Sequence, residues 1–379
     1  MSKVIQKLPL LYLILLAVVG VIMRSMTLVE LPFNFVYIRH AHSHLAFLGW
    51  VYTAFYVLIW QFFLQDAKHI KFLSRLFWVT QLSIVGMFIG FWSVGYQPIS
   101  IAFMVVHTIL AYRFIAYIRR HIEVSATTRF LMNTAFGFFV LSSISPFFIP
   151  VIKVMEKEEY MTAAVNFYLH FHYNGWFIFG IFALLSRFIE LGRFKKHFII
   201  LIGTTLLAYF ELLYLYNLPQ WLVLLTSLVI ILQWFIVFVI VYELLKELKD
   251  KFSNIFNTLL TITLSILGLK YTIQVFGILP TTWFNFEFFS HFNVIGYLHL
   301  LFLGVVTPII LAFYQKLNWL HFSKFAWSIY GIGWILTEVG LFLMGTTFIQ
   351  LSTLVLFIGI SGWCFIVSFR PNKRNPYYV

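Results

Sequence analysis

At 379 residues, 61% hydrophobic, 21% aromatic and only 10% charged, with a mean hydropathy of +0.92, the chain lies outside the composition of soluble globular domains and reads as an integral membrane protein. The single cysteine, Cys364, excludes an internal disulfide, a cysteine-based zinc site and an iron–sulfur cluster built within the chain, so any metal chemistry has to use His, Glu, Tyr or Met. The net charge of +13 reports membrane topology and anionic-lipid contact and gives no support for nucleic-acid binding.

Apolar runs of about 20 residues, each long enough to cross about 30 Å of hydrocarbon as a helix, recur from end to end. A β-barrel would show short alternating segments instead. Twelve spans are predicted, at about 8–24, 35–64, 72–94, 98–118, 129–152, 162–188, 197–216, 219–245, 254–278, 289–315, 323–345 and 348–369. The first resembles a secretory signal in length, but no small-residue cleavage site followed by a soluble domain comes after it, and it is read as a span. With both termini cytoplasmic, 21 of the 26 Lys and Arg fall on the inner side. Only Arg24, Arg39, Lys153 and Lys157 fall outside, the asymmetry that cytoplasmic loops require. No polar insert or Pro/Gly/Ser linker separates the spans, so 1–379 is expected to be one membrane domain in the cytoplasmic (inner) membrane.

The informative histidines sit on spans two, six and ten. Span two carries "HAHSHLAFLG" with His40, His42 and His44; span six carries "YLHFHYNGWF" with His170 and His172; span ten carries "HFNVIGYLHLLFLG" with His291 and His299. His44 precedes Gly49, His170 precedes Gly175 and His299 precedes Gly304, each by five residues, and the device recurs every four spans. This predicts an all-α fold of three four-helix arcs about a pseudo-threefold axis, with repeats at about 1–125, 126–250 and 251–379. Each glycine would let a neighbouring helix or a flat ligand come close. At about 100° per residue His40 and His44 share a face, His42 points away, and His170 and His172 diverge. Ligands drawn from different helices therefore fit better than a chelate from one.

A lone intramembrane histidine is most often an interhelical hydrogen bond, which is the reading for His107. Matched clusters on repeated helices call for a common cause, because polar groups in hydrocarbon are costly without partners. Glu211, Lys270 and Glu338 also fall within spans, where ionisable groups point to function.

On these residues the chain resembles the haem–copper oxidase superfamily, the catalytic subunit I of terminal oxidases and its nitric oxide reductase relatives. "HFHYNGW" is similar to the family's ligand-bearing segment, and the eight-residue spacing of His291 and His299 is similar to its helix-ten pattern. The resemblance implies His299 as an axial haem ligand and His44, or alternatively His40, as the opposite one. It implies a second metal, copper or non-haem iron, at His170 or His172, and an outer site near His291, with His42 a further candidate metal ligand. Tyr173 and Glu211 become candidate catalytic residues. Span seven lacks the adjacent histidine pair of the copper site, and Leu301 stands where the oxidases carry a second helix-ten histidine. A reduced relative is implied, closer to the NnrS family, although that family's His-Glu-Met segment is absent. The expected function is haem-based redox or small-gas chemistry with nitric oxide or oxygen, or electron transfer, with an electron donor or gas ligand as partner. The alternatives are a transporter or channel using intramembrane His, Glu and Lys as a proton or metal-ion path, and a non-haem metal enzyme or an assembly factor for metal or haem.

Overall fold

The computed structural model describes residues 1–26, 28–216, 218–248, 254–278, 291–321, 323–344 and 353–360. Every regular element among them is helical, and ten helices are long and apolar enough to cross a membrane. In chain order these are α1 (Lys3–Ser25), α2 (Phe35–Phe63), α3 (Ala67–Val94), α4 (Pro98–His121), α5 (Ala126–Val154), α7 (Gly192–Leu213), α8 (Gln220–Leu248), α9 (Phe256–Gly277), α10 (Val294–Lys316) and α11 (Lys324–Phe342). Between α5 and α7 runs α6 (161–185), continuous from Met161 to Leu185, whose polar side chains, His170, His172 and Asn174 among them, lower its hydropathy. Of the predicted twelfth span, 353–360 is helical and the remainder lies outside the described residues.

The helix starts are written in the sequence. Ser2 Oγ accepts from Ile5 N at 3.4 Å, Asn34 Oδ1 from Val36 N at 3.0 Å and Tyr37 N at 3.2 Å, and Ser125 Oγ from Thr128 N at 3.2 Å. Each side chain satisfies amide groups that the first turn leaves open. Pro98 opens α4, where a missing N–H costs nothing.

The chain divides into two compact units. One comprises Met1–Ala54, Ile84–Phe103 and the described residues from Ile310 onward; the other comprises Phe55–Ser83 and Met104–Ile309. The helices differ sharply in enclosure. In α2, 83% of the apolar window is buried within the protein and in α10 72%, whereas the other eight reach only 28–44%. Helices α2 and α10 are therefore the most enclosed, and the rest leave much of their apolar surface exposed, as at Leu82, Val154 and Trp221.

Among the described residues four helices relax into wider π turns: Leu45–Tyr52 in α2, Phe171–Phe177 in α6 and Phe302–Val306 in α10, at corresponding places, and Gly340–Met344 at the end of α11. The first three begin one residue after His44, one after His170 and three after His299, and they contain Gly49, Gly175 and Gly304. A π turn shifts the side chains beyond it by one position and recurs at functional sites. Span seven departs from its expected regular helix over 197–216. Its α-helical turns end at Leu207 and tighten to a 3-10 run over Ala208–Tyr216, with Leu213 at φ −97° and ψ 16°.

Candidate functional site

In the first unit, the spacing of the α2 histidines sorts them as helical geometry predicts. The His40 and His44 rings both meet Tyr96, at 4.6 and 5.9 Å, and Phe91, at 6.3 and 4.1 Å between centroids. His44 lies nearly parallel to Phe91, with 24° between the ring planes. His42 turns to α1, where a Cβ on Gly20 would stand 3.4 Å from its Cε1. His44 Nδ1 donates to the His40 carbonyl at 2.9 Å. Because a carbonyl can only accept, the proton of this bond is on Nδ1, which leaves Nε2 as the accepting nitrogen of the neutral ring. A metal-ligating histidine is held in this way, with its second nitrogen donating to a backbone carbonyl or carboxylate. His44 thus keeps Nε2 as its accepting nitrogen, as His121 does through the same bond to the Tyr117 carbonyl at 2.9 Å.

The second unit holds a buried polar centre whose donors and acceptors are mutually consistent. Lys270 Nζ, fully buried in α9, donates to Asn174 Oδ1 at 2.6 Å and to Gln274 Oε1 at 3.3 Å. Its ammonium stands 3.7 Å from the centroid of Tyr271 and 5.1 Å from that of Tyr297, two favourable ring faces. Gln274 Oε1 also accepts from Tyr297 OH at 3.1 Å, and its Nε2 donates to Glu211 Oε2 at 3.2 Å. On the other side Asn174 Nδ2 donates to His170 Nδ1 at 3.2 Å, and His170 Nε2 donates to the Thr205 carbonyl at 2.8 Å. Gln233 Nε2 donates to Thr205 Oγ1 at 3.0 Å. The path Glu211–Gln274–Lys270–Asn174–His170–Thr205 leaves α7, crosses α9 and α6, and returns to α7 six residues earlier. It forms a ring of polar groups inside the membrane span.

This ring decides several expectations. Both nitrogens of His170 are engaged, so its imidazole fits a hydrogen-bonding member of the ring and does not fit a metal ligand as it stands. His172 points instead to α5, where its Nδ1 meets Ser142 Oγ at 3.0 Å. The divergence of His170 and His172 is thus realised. Tyr173 packs edge-on against Tyr297 at 6.2 Å, on the margin of the ring. His107 Nδ1 meets Ser83 Oγ at 3.4 Å, an interhelical contact as expected. His299 is half-buried on α10, and the side chain of His291 lies outside the described residues. Among the described residues no group of three or more His, Cys, Asp or Glu is arranged to hold a metal ion.

Two of the three glycines make room for protein. A methyl on Gly175 would fall 2.5 Å from Phe138 Cβ of α5, and one on Gly49 would fall 3.4 Å from Tyr12 Cγ of α1. Helix approach, of the two options the spacing leaves open, occupies both positions. Glu338 in α11 is buried beside Trp334, one turn earlier in the same helix.

Asn174, Gln274 and Tyr297 were not singled out by the sequence. The signal was available for two of them: Asn174 follows His170 by four and Gln274 follows Lys270 by four, the spacing that stacks side chains on one helix face. No family model matches the sequence, and no curated protein matches it at a significant level.

Proposed function

We propose that the chain is a membrane haem protein of redox or small-gas chemistry, in which His44 of α2 would hold the haem. The observation that carries this reading is the His44 Nδ1 hydrogen bond to the His40 carbonyl, which fixes the tautomer that offers Nε2 to a metal. The π turn beside His44 and the enclosure of α2 support it. Haem iron held by protein nitrogen supplies one-electron exchange or binding of a diatomic gas. The protein's own contribution is orientation: Phe91 and Tyr96 fix the plane of the His44 ring, and the His40 carbonyl fixes its proton. The haem content of protein purified in mild detergent tests the reading. Wild type retains haem, and His44→Ala loses it; full retention by His44→Ala overturns the assignment.

A second reading, an intramembrane proton path, is favoured by the ring around Lys270, since a lysine and a glutamate inside membrane spans are costly unless they act. Proton flux into liposomes, lost in Lys270→Met, tests that reading.

A further inference from the structure

The two ionisable members of the ring are held very differently. Two Lys270 N–H groups are directed at amide oxygens, and the ammonium also faces two tyrosine rings. Every one of these contacts is strongest with a positive charge. Glu211 is tied by a single oxygen. Oε2 accepts from Gln274, while Oε1 is enclosed and accepts no hydrogen bond among the described residues. The residue itself is half-buried, on the tightened 3-10 run of α7, the least enclosed of the ten spans with 28% of its window buried. Gln274 stands between the two charges, its Oε1 facing the ammonium and its Nε2 facing the carboxylate.

We propose that Glu211 is a reversible proton-binding site of the membrane interior, taking its proton at Oε1, and that Lys270, tied to it through Gln274, sets the pH at which it does so. This rests on the polar centre of the second reading and stands whether or not protons cross the membrane. In the step itself an O–H bond forms at Oε1 with a proton taken from water. No other covalent bond changes, and the formal charge of the ring rises by one. Of the other titratable groups around the ring, Lys270 of α9, Tyr173 of α6 and Tyr297 of α10 interact electrostatically with Glu211, while His170 of α6 and Tyr271 of α9 border Lys270. His170 and Tyr297 are committed to hydrogen bonds that a change of protonation would break, whereas Oε1 can take a proton with none lost.

The test is infrared difference spectroscopy of the full chain in lipid nanodiscs across a pH series. A protonated-carboxyl band that grows as pH falls is expected in the wild type, and Glu211→Gln loses it entirely. Glu338→Gln, at the other buried carboxyl, keeps it. Lys270→Met displaces the pH at which the band appears, and Lys270→Arg returns it toward the wild-type value. Should Lys270→Met not assemble, Gln274→Leu, which leaves both charges and removes the amide between them, displaces the band as well. Survival of the full band in Glu211→Gln, or loss of it in Glu338→Gln, overturns the assignment, as does a band that ignores both Lys270→Met and Gln274→Leu. The readout uses no haem, so a colourless preparation leaves the test intact, and a band without proton flux removes the path while leaving the site.

Discussion

Lys270 Nζ lies 2.6 Å from Asn174 Oδ1, and none of the ion pairs among the described residues includes Lys270. A buried ammonium held by neutral amides depends on each of them. Asn174→Leu leaves the charge short of its nearest acceptor, at a cost of about 3 kcal/mol, whereas Lys270→Met removes the charge together with its desolvation penalty and costs less. In thermal unfolding, the double variant is expected to be more stable than Asn174→Leu alone. Strict additivity of the two single changes would show that the pair is not coupled.

The α2 histidines separate by facing. His44→Ala is expected to abolish haem retention, while His42→Ala leaves the cofactor in place and loosens the packing of α2 on Gly20 of α1, visible as a lower thermal midpoint. Equal loss of haem in both variants would contradict the division that the His40/His44 face makes.

Gly175 and Gly203 give a steric contrast. Phe138 occupies the space beside Gly175, so Gly175→Val overpacks the α5–α6 contact and destabilises by about 1–3 kcal/mol or more. Nothing lies within 4 Å of a Cβ placed on Gly203, in a helical stretch of α7, so Gly203→Ala is expected to be stabilising by up to about 1 kcal/mol. Thermal unfolding in one detergent, with both variants in parallel, checks the pair.

Tyr96, in the connection between α3 and α4, has its phenol pushed up to about 12 by burial. An unfolded tyrosine ionises near 10. The neutral phenol's contribution to stability is therefore fully present below about 10 and is lost as pH rises toward about 12. Tyr96→Phe lacks this component. The difference in thermal midpoint between wild type and Tyr96→Phe is expected to be constant to about pH 10 and to shrink or reverse above it, and a difference that is flat throughout would contradict the burial.

Much of the helical architecture was legible because hydrocarbon imposes length and apolarity on every span. The facing of His40, His42 and His44 was legible for the same reason, since four-residue spacing on a regular helix has one outcome. The π turns were not, because a one-residue widening leaves no mark in an apolar pattern. The ring around Lys270 was only half legible. Lys270 and Glu211 stand out as charges in apolar runs, but Asn174 and Gln274 are uncharged amides whose importance comes from three helices meeting. His170 shows the limit most plainly. Its place in the repeat reads as a ligand, yet packing delivers Asn174 to one nitrogen and the Thr205 carbonyl to the other.

The most direct test of the central claim is the reduced-minus-oxidised optical spectrum of the full chain purified in mild detergent from haem-replete cells. A haem spectrum with reduced α and β bands is expected, lost in His44→Ala and kept in His42→Ala. A colourless wild-type preparation, or a spectrum untouched by His44→Ala, would contradict it.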